Sequence, residues 1–137
     1  MRSPIRPLLA AAALASLLAA CNGGATEVPA GPDTTGAWSG STGSGSPSLA
    51  FAFTLTDKGG DLSGSGKVKG PAAAPTDSTA VTVTGKKTFR TVTMTFGAPG
   101  FVPLTFNGTL SPQADSAVGN ISGSGISGTA LTLRRTP

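Results

Sequence analysis

The residue types that usually carry enzymatic chemistry are scarce in this chain of 137 residues, which has no histidine and a single cysteine. Ser-His-Asp and Cys-His arrangements need an imidazole base, so neither can be assembled. Zinc sites built on cysteine and histidine are excluded for the same reason. The acids are Glu27, Asp33, Asp57, Asp61, Asp77 and Asp115. Asp57 and Asp61 flank the turn Asp57-Lys58-Gly59-Gly60. Two carboxylates that close could hold Ca²⁺ or act as acid and base. The simpler reading is that they are turn residues that cap a loop. Lys86, Lys87 and Arg90 form a small basic cluster. It suits lipid headgroups or phosphates, and equally a solvated charge group that blunts a strand edge. Asn107-Gly108-Thr109 and Asn120-Ile121-Ser122 match the glycosylation pattern. The inventory favours a protein that binds over one that catalyses, with no cofactor and no metal.

Cys21 is the exception, because its surroundings give the thiol a chemistry. Arg2 and Arg6 make a short basic start, and Leu8 through Ala20 is an unbroken apolar run. That run is shorter than the about 20 residues a membrane-spanning helix needs. It has the length of a signal-peptide core. It ends in Leu18-Ala19-Ala20-Cys21, which resembles the lipobox of bacterial lipoproteins. The resemblance implies a thioether-linked diacylglycerol on Cys21, cleavage just before it, and acylation of the new amine by a fatty acid such as palmitate. Two or three acyl chains anchor stably where one would be marginal. The implied address is the cell envelope, lipid-anchored. Asn22 at the next position is compatible with the outer membrane under enterobacterial sorting. A plain secretory signal with a leftover thiol is the alternative.

On this reading residues 1–20 are a signal peptide and 21–35 a lipidated, flexible tether, rich in Gly, Pro, Ala and Thr. Residues 36–137 form one domain. Without Arg2 and Arg6 the net charge falls from +4 to about +2. The remaining basic residues are scattered, which argues against nucleic acid as a partner.

From Gly36 onward Thr, Val, Phe and Leu alternate with small polar residues between recurrent Gly or Pro clusters. The pattern predicts an all-β domain of about eight strands: Ala37–Ser41, Ser48–Thr56, Asp61–Lys69, Ser78–Thr84, Thr88–Phe96, Phe101–Leu110, Ser116–Ser122 and Thr129–Arg135. Turns are expected at Asp57–Gly60, at Gly85-Lys86-Lys87 and at Gly97–Gly100. The odd spacing of Val118 and Ile121 predicts a bulge or register break. Short connections favour an antiparallel up-and-down meander. Closure into a small β-barrel would remove its two edges, with a β-sandwich as the alternative. Gly64 and Gly66, on the apolar face of the third strand, would permit tight coiling.

Gly36-Ala37-Trp38 opens the first strand, and Arg134 and Arg135 end the last. This arrangement resembles the calycin group of lipocalin- and avidin-like barrels. The resemblance implies that Trp38 plugs one end and that Arg135, in phase with Leu131 and Leu133, stacks across the indole. Phe51, Phe53, Met94, Phe96, Leu104 and Phe106 are then the candidates to face a ligand. The expected function is an envelope lipoprotein that binds a small apolar ligand or an envelope protein. An inhibitor of an exported protease or lysozyme is the alternative. A transmembrane barrel is disfavoured, because the chain lacks aromatic girdles and ends in Pro137.

Overall fold

The computed structural model describes residues 30–43, 48–70 and 78–137. The expected signal segment, Cys21 and the tether through Pro29 lie outside the described residues, as do Asp77 and most of the Pro/Ala connection. Eight strands run in sequence: β1 Gly36–Thr42, β2 Ala50–Lys58, β3 Asp61–Lys69, β4 Thr79–Thr88, β5 Thr91–Gly97, β6 Leu104–Leu110, β7 Ser116–Gly123 and β8 Ile126–Arg135. Each pairs antiparallel with its neighbours, and β8 returns to β1, so the meander closes as a barrel rather than a sandwich. Among the described residues no helix is long and apolar enough to cross a membrane, which says nothing of a membrane barrel.

The barrel forms because strand alternation puts one apolar set inside on every strand. Phe51, Phe53 and Leu55 from β2, Val92, Met94 and Phe96 from β5, and Leu131 and Leu133 from β8 are all buried. The outward positions are mostly threonine and serine. A transmembrane barrel has the opposite sense, apolar outside and polar within. Glycine lets so narrow a barrel close. Gly66 sits opposite Phe53, and a Cβ there would fall 2.2 Å from the Ala52 carbonyl oxygen.

Several strand limits differ from the sequence reading. β4 continues to Thr88 and turns at Phe89-Arg90, not at Gly85–Lys87. Gly85 marks a close approach instead: it pairs with Met94, and a Cβ would lie 2.2 Å from the Thr93 carbonyl oxygen. β6 starts at Leu104, not Phe101, because Pro103 has no N–H to give a ladder. β2 begins two residues later than expected and runs on to Lys58, while β8 begins earlier, at Ile126. In β7 the inward residues are Ala117 and Ile121, with Val118 on the outer face. The ladder is regular from Ser116 to Ile121, so the odd spacing of Val118 and Ile121 reflects an outward Val118 and not the expected bulge; the register shifts later, between Ile121 and Gly123.

The connections place two unlike ends. One, here the strap end, holds the turns after β2, β4 and β6, and the start of β1. The other, the mouth, holds the turns after β5 and β7 and the connections after β1 and β3.

Candidate functional site

At the strap end the inward alternation of three strands runs on into charged residues. Asp57 follows Phe51, Phe53 and Leu55; Lys87 follows Val81, Val83 and Gly85; Arg135 follows Leu131 and Leu133. Asp57 and Lys87 form an ion pair with both side chains 4% exposed. Burying two charges is tolerable only when their remaining bonding capacity is used. Here it is used. Lys87 Nζ also donates to the carbonyl oxygens of Pro32 (2.6 Å) and Gly31 (3.4 Å). Asp57 accepts from the Thr34 hydroxyl (3.0 Å), the Thr34 N–H (3.2 Å) and the Gly60 N–H (3.0 Å). Burial pushes the Asp57 carboxyl up. The bonds from Lys87, Gly60 and Thr34 outweigh it and hold the group below the ordinary carboxylate value.

Residues 30–35 are thus a strap across the barrel end. Thr34 is buried, and its carbonyl accepts the Trp38 indole N–H at 2.8 Å. The expected tether of 21–35 is shorter at its C-terminal side, because these last residues are bonded to the barrel. Trp38 closes the end from within, and Arg135 pairs with it across β1 and β8. The Arg135 guanidinium donates to the Thr35 carbonyl, and it lies so near Gly36 that a Cβ there would meet Nε at 3.0 Å. Beneath Trp38 a void of only 10 Å³ remains, bounded mainly by Leu55, Val92, Met94 and Leu110. It holds at most one water, and its apolar walls offer that water almost nothing.

The lumen is filled through its middle as well. Phe51 and Phe53 pack on Phe96 with ring centroids 5.0 and 5.2 Å apart, tilted and edge-on. Phe106 is wholly buried and pairs with Met94. Of the six candidate ligand-facing residues, five are therefore core, and they face one another. Only Phe96 and Leu104 also border open space.

That space is at the mouth. A pocket of 280 Å³ is lined by Leu49, Val68, Val81, Phe96, Ala98, Phe101, Val102, Leu104 and Ile126, with Thr79 and Ser124 as its hydroxyls. Among the described residues no charged side chain lines it. It exists because β4 and β5 stop pairing at Thr82 and Gly97. Pro99 cannot donate to a further rung, and the chain turns away, with the Phe101 N–H bonding the Ala98 carbonyl. The detour leaves Phe101 63% and Val102 64% exposed on the rim. Sequence reading assigned both to a strand and so missed them as a rim. The Pro99 and Pro103 that bracket them were the available signal. It also missed the Asp57–Lys87 pair, although both residues keep the inward phase of their strands.

Asp61 pairs instead with Lys86 on the surface, so the two carboxylates of the first hairpin have separate partners. Among the described residues no group of three or more His, Cys, Asp or Glu is placed to hold a metal. No family model, curated protein or solved structure matches the chain.

Proposed function

We propose that this chain is an envelope lipoprotein, anchored through Cys21, whose barrel binds a small apolar ligand at the mouth without catalysing a reaction. The observation that carries the reading is the 280 Å³ pocket, apolar among the described residues, with Phe101 and Val102 held out on its rim. Exposed aromatic and branched side chains around a concave apolar floor are what binding sites present and ordinary loops do not. The volume lies just under the ~300–1,000 Å³ range of drug-sized sites. The ligand is therefore small, or only one limb of it enters. The packed Phe51, Phe53 and Phe96 rings form a floor, so the reading is of a mouth site and not of a carrier with an enclosed lumen.

Chemistry supports binding over catalysis. Among the described residues the pocket offers two hydroxyls and no titratable group, and the chain has no histidine. Anchoring rests on the sequence around Cys21.

Calorimetric titration of the mature chain carrying Cys21→Ala with 1-decanol, an uncharged linear probe, tests the site. Saturable binding that is lost in Leu104→Arg supports it. Binding that never saturates, or that survives a charge in the pocket wall, contradicts it. Metabolic labelling with radioactive palmitate, retained by the native chain and lost in Cys21→Ala, tests the anchor separately.

A further inference from the structure

We infer that the strap end is a membrane-apposed face, with Phe89 at its tip, whose partner is the anionic headgroup surface of the bilayer that holds Cys21. The inference rests on the anchor reading above and adds an orientation: the mouth points away from the protein's own membrane.

Three observations converge on Phe89. It is the first residue of the two-residue turn between β4 and β5 and has a φ of 55°. That conformation suits glycine and is costly for a bulky side chain. The side chain is also 51% exposed, so burial in the core does not offset the cost. A strained, exposed aromatic at a hairpin tip is a candidate for contact with something outside the chain.

The second observation is where the chain leaves the barrel. Gly31 passes so close beneath Phe89 that a Cβ would lie 1.7 Å from the Phe89 carbonyl oxygen. Lys87, two residues before Phe89, holds Gly31 and Pro32 by their carbonyls. The tether therefore departs beside Phe89. Eight residues lie between Cys21 and Ala30. A coil of that length spans roughly 16 Å, from about 5–6 Å times the square root of length. Reaching the bilayer with the mouth down would require the tether to run extended along the whole barrel.

The third observation is charge. Lys58, Lys86, Arg90, Arg134 and Arg135 lie at the strap end, against Asp33, Asp61 and Asp115, with the Asp57–Lys87 pair buried and self-neutralised. The basic excess suits anionic lipid, and an aromatic ring beside it suits the interface. The mouth end carries Lys67 and Lys69 with no acid near them among the described residues, so charge suits lipid at the strap end without separating the two ends; the exposed ring and the exit of the chain do that.

The test is hydrogen exchange read by mass spectrometry on the lipidated chain in vesicles of phosphatidylethanolamine and phosphatidylglycerol, against the same chain in neutral detergent. Slower exchange on vesicles at residues 88–91, with none at 98–103, is expected. Phe89→Gly should lose that protection while raising the urea midpoint, because it relieves the positive φ. Equal protection at both ends, protection at the mouth alone, or a Phe89→Gly chain still protected would each overturn the inference. If mass spectrometry finds Cys21 unmodified, the anchor reading fails. The same chain coupled through the Cys21 thiol to a maleimide lipid then tests the face alone, with the same outcomes.

Discussion

The two ends of the barrel are built from the same alternating strands, yet they finish differently. At the strap end the inward phase passes from Leu55 to Asp57, from Gly85 to Lys87 and from Leu133 to Arg135, and a segment of the chain is drawn across to satisfy them. At the mouth the described inward residues are mostly apolar, with Thr42 and Thr79 as the polar exceptions, and prolines interrupt the sheet between β5 and β6. A barrel end can be closed by polar groups that need partners from outside the sheet. It can equally be left open by apolar groups that need no partner but remain partly wet. The first solution contributes stability and fixes where the tether leaves. The second sacrifices some burial and leaves an apolar surface partly wet, the one proposed to bind.

Substitutions should therefore separate the ends. The largest effect is expected from Lys87→Met, which strands the Asp57 carboxylate beneath the strap. Breaking a buried pair from one side costs about 3–5 kcal/mol, read as a fall in the urea midpoint. The double change Asp57→Leu with Lys87→Met should recover most of it, and a double as unstable as the single would show that the strap bonds matter more than the charge. Trp38→Phe keeps the plug and removes the indole N–H that satisfies the buried Thr34 carbonyl. A cost of about 1–3 kcal/mol is expected, that of an orphaned buried acceptor. At the mouth, Val102→Ser should change stability by less than about 0.5 kcal/mol, while weakening decanol binding. A large loss of stability there would mean that the rim is structural.

Acid should act on the strap end first. Asp57 has a carboxyl held below its ordinary value in the fold, so it binds fewer protons folded than unfolded. Its contribution is complete above the unfolded carboxylate value of about 3.9 and is lost as pH falls through the lower folded value. Urea midpoints measured downward from neutral pH should drop in that acid range. Asp57→Asn should flatten that part of the curve, and an unchanged curve would remove Asp57 from the account.

Much of the architecture was legible in the chain. The period-two runs around Phe51–Leu55 and Val92–Phe96 and the short connections specify a meander, and its unhidden edges point to closure. Glycine was harder to read. Gly85 has the composition of a turn, yet it serves the close approach of β4 to Met94, and this displaced the expected turn to Phe89-Arg90. Val118 misled because a large apolar residue is a stronger signal than the Ala117 beside it, although Ala117 holds the inward phase. The mouth was hidden because nothing local says that a strand-like run such as Phe101–Leu104 bends away from the sheet; only its flanking prolines hint at it. Asp57 and Lys87 are far apart in sequence, and their pairing depends on β2, β3 and β4 lying side by side.

The central claim is that binding belongs to the mouth and closure to the strap end. Amide and indole chemical shifts of the mature Cys21→Ala chain, followed by nuclear magnetic resonance as 1-decanol is added, test it most directly. The account predicts saturable shifts at Leu49, Val81, Phe101, Val102, Leu104 and Ile126, with the Trp38 indole N–H unmoved. Shifts centred on the Trp38 indole, Met94 and Phe106 would contradict it, because they would place the ligand in a lumen that the packing leaves no room to fill.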